Sequence, residues 1–267
     1  MAKVSTKKVV AKAAPSKVPA KSDNVNVDML LEQYAGAGVS SDASDNTIPF
    51  IYLVQAMSPV ATKANPAYIK GAMAGSIWPR GEKVVWDGDE GIRVIPCFFT
   101  KAWVEWLPER AGFVARYNFN EKPHEASLVD KVWRMPNGNL LQESREHTVL
   151  VLDKYDTPTP FVIAMTSTNL KSSKDWMTLM NRQATPKGNV APAFAYSYTL
   201  LTTPRTNDKG SWYVWHAENP EKVTDAEELQ EAIKIFKAFS GGTMSGAVTG
   251  YDMSDEVADD DNSDDHI

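Results

Sequence analysis

Cysteine is almost missing from this chain: Cys97 is the single one in 267 residues. One thiol excludes an intrachain disulfide framework and a paired-cysteine zinc site, so a reducing interior such as the cytoplasm is the expected compartment. No apolar run reaches the roughly 18–20 residues of a membrane span, and no membrane partner is expected. Phosphate-loop signatures are absent too, since neither G-x-x-x-x-G-K-[ST] nor G-x-G-x-x-G occurs, which argues against nucleotide hydrolysis. The four histidines, His124, His147, His216 and His266, lack the paired spacing of metal ligands,. Asp87, Asp89 and Glu90 lie in a Trp-Asp-Gly-Asp-Glu-Gly segment. It is too short for an EF-hand ligand ladder and reads as a solvated turn. Asp130, Glu143, Asp153 and Lys154 form no set more specific than any chain with 34 acids offers. No cofactor, metal or catalytic residue is expected.

Charge is present but unevenly spread. The formal net charge is −6, yet residues 1–21 hold six lysines and no acid, and residues 252–267 hold eight acids and no lysine or arginine. What lies between has 22 basic against 26 acidic residues. The N-terminal stretch has neither the apolar core of a secretory signal nor the arginines of a transit peptide. Residues 1–46 therefore read as a disordered basic arm, a short helix at Val27–Tyr34 and a Gly/Ser/Asp linker; 47–240 as the folded domain; and 241–267 as a flexible acidic tail,. Such a tail can occupy a cationic groove until a polyanion displaces it, or recruit basic partner proteins.

Within the domain, β-type patterns dominate, and a mixed β-rich α+β fold is expected. Ile48–Met57 is an apolar run of strand or short-helix length, and Gly91–Leu107 is a β-branched and aromatic stretch in which Pro96 demands an edge or a bulge,. Thr148–Asp153 and Phe161–Thr166 read as strand, turn, strand,. Phe194, Tyr196, Tyr198 and Leu200 alternate with small residues, and a turn at Asn207–Gly210 leads to Trp212–His216, which predicts a hairpin,. Two helices interrupt the strands. Asn169–Gln183 places Leu170, Ser173, Trp176, Met177 and Met180 on one face and Lys171, Lys174, Thr178 and Arg182 on the other,. Thr224–Phe239 opens on a Thr-Asp-Ala-Glu capping box and carries Leu229, Ala232, Ile233 and Phe236 at core spacing,.

The feature that carries chemistry is the interleaving of aromatic and basic residues on these strands. Single-stranded nucleic acid is held by bases stacked on aromatic rings, with cations following the phosphates. Strand alternation puts Phe99, Lys101, Trp103 and Glu105 on one face and Phe98, Thr100, Val104 and Trp106 on the other. Trp103, Tyr196, Tyr198 and Trp212 are the stacking candidates; Lys101, Arg116, Lys171, Lys174 and Arg182 are the phosphate candidates. Each of these aromatic residues also has the ordinary reading of a core side chain.

The segments Ile48-Pro-Phe-Ile-Tyr-Leu-Val-Gln, Glu90-Gly-Ile-Arg-Val-Ile-Pro-Cys-Phe-Phe, Thr168-Asn-Leu-Lys-Ser-Ser-Lys-Asp-Trp and Tyr198 through Trp215 resemble those of bacteriophage single-stranded DNA-binding proteins. The resemblance runs over about residues 48–218. It implies a five-stranded OB-like barrel with added helices, roles in DNA replication and recombination in the host cytoplasm, and an acidic C-terminus that contacts a polymerase or helicase. The chain ends His266-Ile267, without the aromatic residue that often closes such tails. Sequence-independent binding of single-stranded DNA is the expected function, with a homo-oligomer left open. A virion assembly protein without DNA affinity and a metal-dependent nuclease are the alternatives from other classes.

Overall fold

The computed structural model describes residues 48–208 and 210–241, together with Gln33. The chain divides into two compact units at Ser40/Ser41, and the fold below belongs to the second. The expected basic arm, linker and acidic tail lie outside the described residues; within Val27–Tyr34 only Gln33 is described, and it is helical.

Two long antiparallel strands form the spine of an eight-stranded sheet: β3, Ile92–Trp106, and β7, Leu140–Val151. Their register runs from Val94 opposite Val151 to Trp106 opposite Leu140. Each strand serves two neighbours along its outer edge. β3 pairs with β9 (Tyr196–Asn207) through Ile92–Val94 and with β4 (Phe113–Asn118) through Ala102–Trp106. β7 pairs with β8 (Thr159–Thr166) over Ser144–Val151 and with β6 (Val132–Arg134) near Leu140 and Leu141. Beyond β9 lies β10 (Gly210–Lys222), and beyond β6 lies β5 (Ser127–Val129).

Pro96 explains the division. Proline has no N–H for a ladder, and the strand accommodates it with a register shift between Pro96 and Phe98,. This is the bulge expected from the sequence. Among the described residues neither β9 nor β4 pairs with 95–101. Helix α2 (Ala226–Ser240) and the turn Ala193–Ala195 pack there instead, with the Phe98 and Phe239 rings stacked at 5.4 Å. Strands therefore fan out at opposite ends of β3. The β-rich α+β class is as expected, but no pairing among the described residues closes the sheet into the five-stranded barrel that the resemblance implies. A separate two-stranded sheet joins β1 (Ile51–Leu53) to β2 (Ile77–Pro79).

The helices follow their apolar stripes. In α1 (Asn169–Asn181), Ser173, Trp176 and Met180 are buried while Lys171, Lys174 and Thr178 are exposed. Helix α2 begins one residue later than the capping-box reading implies. Asp225, not Thr224, is the cap, and its carboxylate accepts from the amides of Glu227 and Glu228 at 2.8 and 3.0 Å,. Ala232, Ile235 and Phe239 face inward and Phe236 is exposed, contrary to the expected core role for Phe236, because packing against β3 sets which stripe of the helix is covered. The hairpin of β9 and β10 forms as read, with Trp212 opposite Arg205. Phe194, however, belongs to the turn that precedes β9.

Candidate nucleic-acid interface

Past the bulge, the two faces of β3 have different fates. Phe98, Val104 and Trp106 join the core that α2 covers. Phe99, Lys101, Trp103 and Glu105 point the other way, beside their register partners His147, Arg145, Glu143 and Leu141 on β7,. Helix α1 covers this second face as far as His147. The Trp176 ring stacks on the imidazole at 4.6 Å, Ser173 Oγ lies 2.8 Å from its Nε2, and Phe99 closes the far side at 4.8 Å. Burial and the nearby Arg145 charge push the His147 pKa down to about 3, so it is a neutral core group,. Beyond it, Lys101 and Arg145 sit opposite each other, half-buried.

Next to them is an aromatic cluster assembled from four segments. Trp103 stacks on Phe119 at 5.7 Å with the rings 6° from parallel, meets Trp133 edge-on at 6.2 Å, and donates its indole N–H to the Phe119 carbonyl at 3.1 Å. Tyr117, Met135 and Leu141 complete the group. Two ammonium groups lie on it: Lys101 Nζ is 4.3 Å from the centre of the Phe119 ring, and Lys122 Nζ lies over both Trp103 and Trp133,. Partial burial lowers the Lys122 pKa. Beneath the rim, buried Glu105 accepts from the Tyr117 hydroxyl at 2.5 Å and from the Asn139 amide at 2.6 Å. That hydrogen bond, with desolvation and the carboxylate charge, pushes the Tyr117 phenol up to about 12. Glu105 thus locks the β4 side of the cluster in place, and the result is a rigid aromatic floor crossed by cations.

A family model described as Pam3 phage gp34-like protein matches residues 20–245. The chain belongs to the Pam3 phage gp34-like family. It is therefore a phage protein, in keeping with the phage part of the resemblance. Neither a curated protein nor a solved structure matches the chain. Among the described residues, no helix of this family member is long and apolar enough to cross a membrane.

In this gp34-like protein only some of the expected site residues meet. Lys101 and Trp103 share the cluster, although Trp103 is 8% exposed and is a supporting ring more than an open one. Tyr198 is placed in the core at 1% exposure, under Trp176, and presents no free face. Tyr196 is half-buried, with its hydroxyl on the Ala184 carbonyl at 3.3 Å. Trp212, also half-buried, points to the opposite side of the β9–β10 ribbon from Tyr198. Arg116 lies on the α2 side of the sheet, where its guanidinium grips the buried Glu146 carboxylate at 3.0 and 2.7 Å,. Lys171, Lys174 and Arg182 are exposed along and just past α1.

Sequence reasoning missed Tyr117, Phe119, Lys122, Trp133 and Arg145. Strand alternation carries a usable signal for Arg145, two residues from Glu143 and His147 on one face of β7, and for Tyr117 on β4,. Tyr117 is the β4 register partner of Trp103 and Trp133 sits on the short strand β6, while Phe119 and Lys122 come from the turn after β4. The acid candidates stay apart. Glu143 holds Arg145 at 2.9 Å, Asp153 accepts the Arg93 amide at 3.0 Å, and Asp130 sits in the β5–β6 turn. Among the described residues no group of three His, Cys, Asp or Glu is placed to hold a metal ion. Asp87 instead accepts the amides of Asp89 and Glu90, a turn as read from the sequence.

Proposed function

We propose that this phage protein binds single-stranded DNA without sequence preference and without catalysis, along the face of β3, β4 and β7 that α1 leaves uncovered. One observation carries the reading: Lys101 and Lys122 lie against Trp103, Phe119 and Trp133 on a rigid sheet face. Cations over rings are what a strand requires, because a phosphate can draw each ammonium away while a base takes its place on the ring. Phe119 and Trp133, both half-buried, are the rings placed to receive bases. Lys171, Lys174 and Arg182 extend the positive surface along α1. In this reading the five strands β10, β9, β3, β7 and β8 correspond to an OB-like platform left open, and the acidic C-terminal residues serve as the handle for replication partners.

The test is a fluorescence titration with poly-dT at several salt concentrations, with and without magnesium. Stacking quenches tryptophan emission. Neutralising ~3–5 phosphates gives a log-log salt slope of roughly −2 to −4. A virion assembly protein gives no quenching, and a nuclease shortens the DNA when magnesium is added. Either result removes the proposal.

A further inference from the structure

We propose a second ligand site, for a nucleoside 5′-phosphate, in an open cleft built on the small β1–β2 sheet. The cleft measures about 490 Å³, a size suited to a small ligand, and Tyr68, Lys70, Trp78, Arg80, Glu82 and Lys83 line it,. It shares no lining residue with the β3, β4 and β7 face.

Both walls are fixed before any ligand arrives. Trp78 is buried against Val54, Val60 and Ile69, and its indole N–H donates to the Glu82 carbonyl at 2.9 Å. This closes the turn from Pro79 to Glu82, in which Gly81 takes a φ of +86° and Glu82 N–H donates to the Pro79 carbonyl at 3.2 Å,. The turn therefore holds Arg80 and Lys83 at the cleft. The opposite wall is tied down by Tyr68 N–H to the Asn65 carbonyl at 3.0 Å and Ile69 N–H to the Val60 carbonyl at 2.9 Å. A preorganised site loses less entropy on binding.

The chemistry of the lining selects the ligand. Two exposed lysines, Lys70 and Lys83, line the cleft with one carboxylate, Glu82, an oxygen of which already accepts the Tyr155 hydroxyl at 2.5 Å. The balance favours an anion. Lys70 and Lys83 are exposed and able to follow it,. The half-buried phenol of Tyr68 adds an aromatic edge for a ring-bearing ligand,. A nucleoside 5′-phosphate satisfies both features, whether free or at the end of a strand.

The experiment is isothermal titration of the full chain with dTMP, thymidine, inorganic phosphate, and dT oligonucleotides bearing a 5′-phosphate or a 5′-hydroxyl. We expect dTMP to bind more tightly than thymidine or inorganic phosphate. The double variant Lys70→Ala/Lys83→Ala should weaken dTMP binding by at least about tenfold with an unchanged thermal midpoint. Lys234→Ala/Lys237→Ala, with the same change of charge on α2, should leave it unaltered. A preference for the 5′-phosphorylated strand assigns the cleft to strand ends; dTMP binding without that preference assigns it to free nucleotides. Lack of dTMP binding at millimolar concentration overturns the site, as does equal binding by inorganic phosphate or by the Lys70/Lys83 variant. Lys101→Ala/Lys122→Ala should leave dTMP binding intact, which separates this site from the DNA face.

Discussion

Replacing Trp103 tests the aromatic cluster most directly. Its indole is 8% exposed, stacked on Phe119, set against Trp133 and hydrogen-bonded to the Phe119 carbonyl at 3.1 Å. Trp103→Ala removes a large buried side chain and leaves a cavity, at a cost of about 3–5 kcal/mol. In a domain of this size, ~2–4 °C of thermal midpoint accompanies each kcal/mol, so a fall of about 6–20 °C is expected. Trp103→Phe keeps a ring on Phe119 but loses the N–H donor, for a smaller cost of about 1–2 kcal/mol. Urea unfolding followed by far-ultraviolet circular dichroism measures both variants, and dT oligonucleotide binding is read on the same samples. The Ala variant should lose stability first, with weakened binding following from a disordered floor. A stability change under about 1 kcal/mol together with a large loss of binding would refute the packing argument and make Trp103 an open stacking ring.

Further predictions concern charge and pH. Lys101→Ala and Lys122→Ala should each weaken poly-dT binding and reduce the salt slope by about 0.7, with stability nearly unchanged; an unaltered slope for both would exclude phosphate contact there. Arg116→Met removes the two-point guanidinium partner of the Glu146 carboxylate, whose side chain is 1% exposed, and should cost about 3–5 kcal/mol in urea unfolding,. Adding Glu146→Gln should recover part of that loss, and no recovery would mean that the pair is not what holds the site. His147 is neutral in the fold with its pKa depressed to about 3, whereas the unfolded chain takes up the proton near 6.5,. Its contribution is therefore complete above pH 6.5 and is lost as the pH falls from there towards 3,. A His147→Phe variant should show a flatter stability profile across that window, and an unchanged profile would reject the assignment. Ending the chain at Tyr251 removes eight acids and takes the formal charge from −6 to +2. That variant should bind single-stranded DNA more tightly at low salt, with the gap closing as ionic strength rises.

Local patterns account for most of what was legible in advance. The stripe of Ser173, Trp176 and Met180 on α1 follows from helical spacing, and the sorting of Phe98 to Trp106 into two faces follows from strand alternation. The β9–β10 hairpin follows from a polar turn between two aromatic runs. Pro96 announced a bulge because a missing N–H is a property of the residue itself,. Thr224 and Asp225 can both accept amide hydrogens, and only the chain's path into α2 makes Asp225 the cap.

Periodicity shows that a residue lies on a face, but only packing decides what covers it. Tyr198 and Trp103 have similar surroundings in sequence and lie on the same side of the sheet. Tyr198 is sealed under Trp176 because α1 crosses the sheet there, while Trp103 lies past His147, where the helix has ended its cover. Sequence alone reads Arg116 as a phosphate candidate, whereas the β3–β4 register carries it to Glu146, thirty residues away along the chain. Phe119 and Lys122 come from a turn with no period to read, and Trp133 from a three-residue strand too short to show one; they meet Trp103 only because β4 and β6 pair with the two spine strands. Residue types and local periods were thus properties of the sequence alone. The aromatic cluster and what lies open around it were decided by strand register and helix cover, which depend on contacts between residues far apart in the chain.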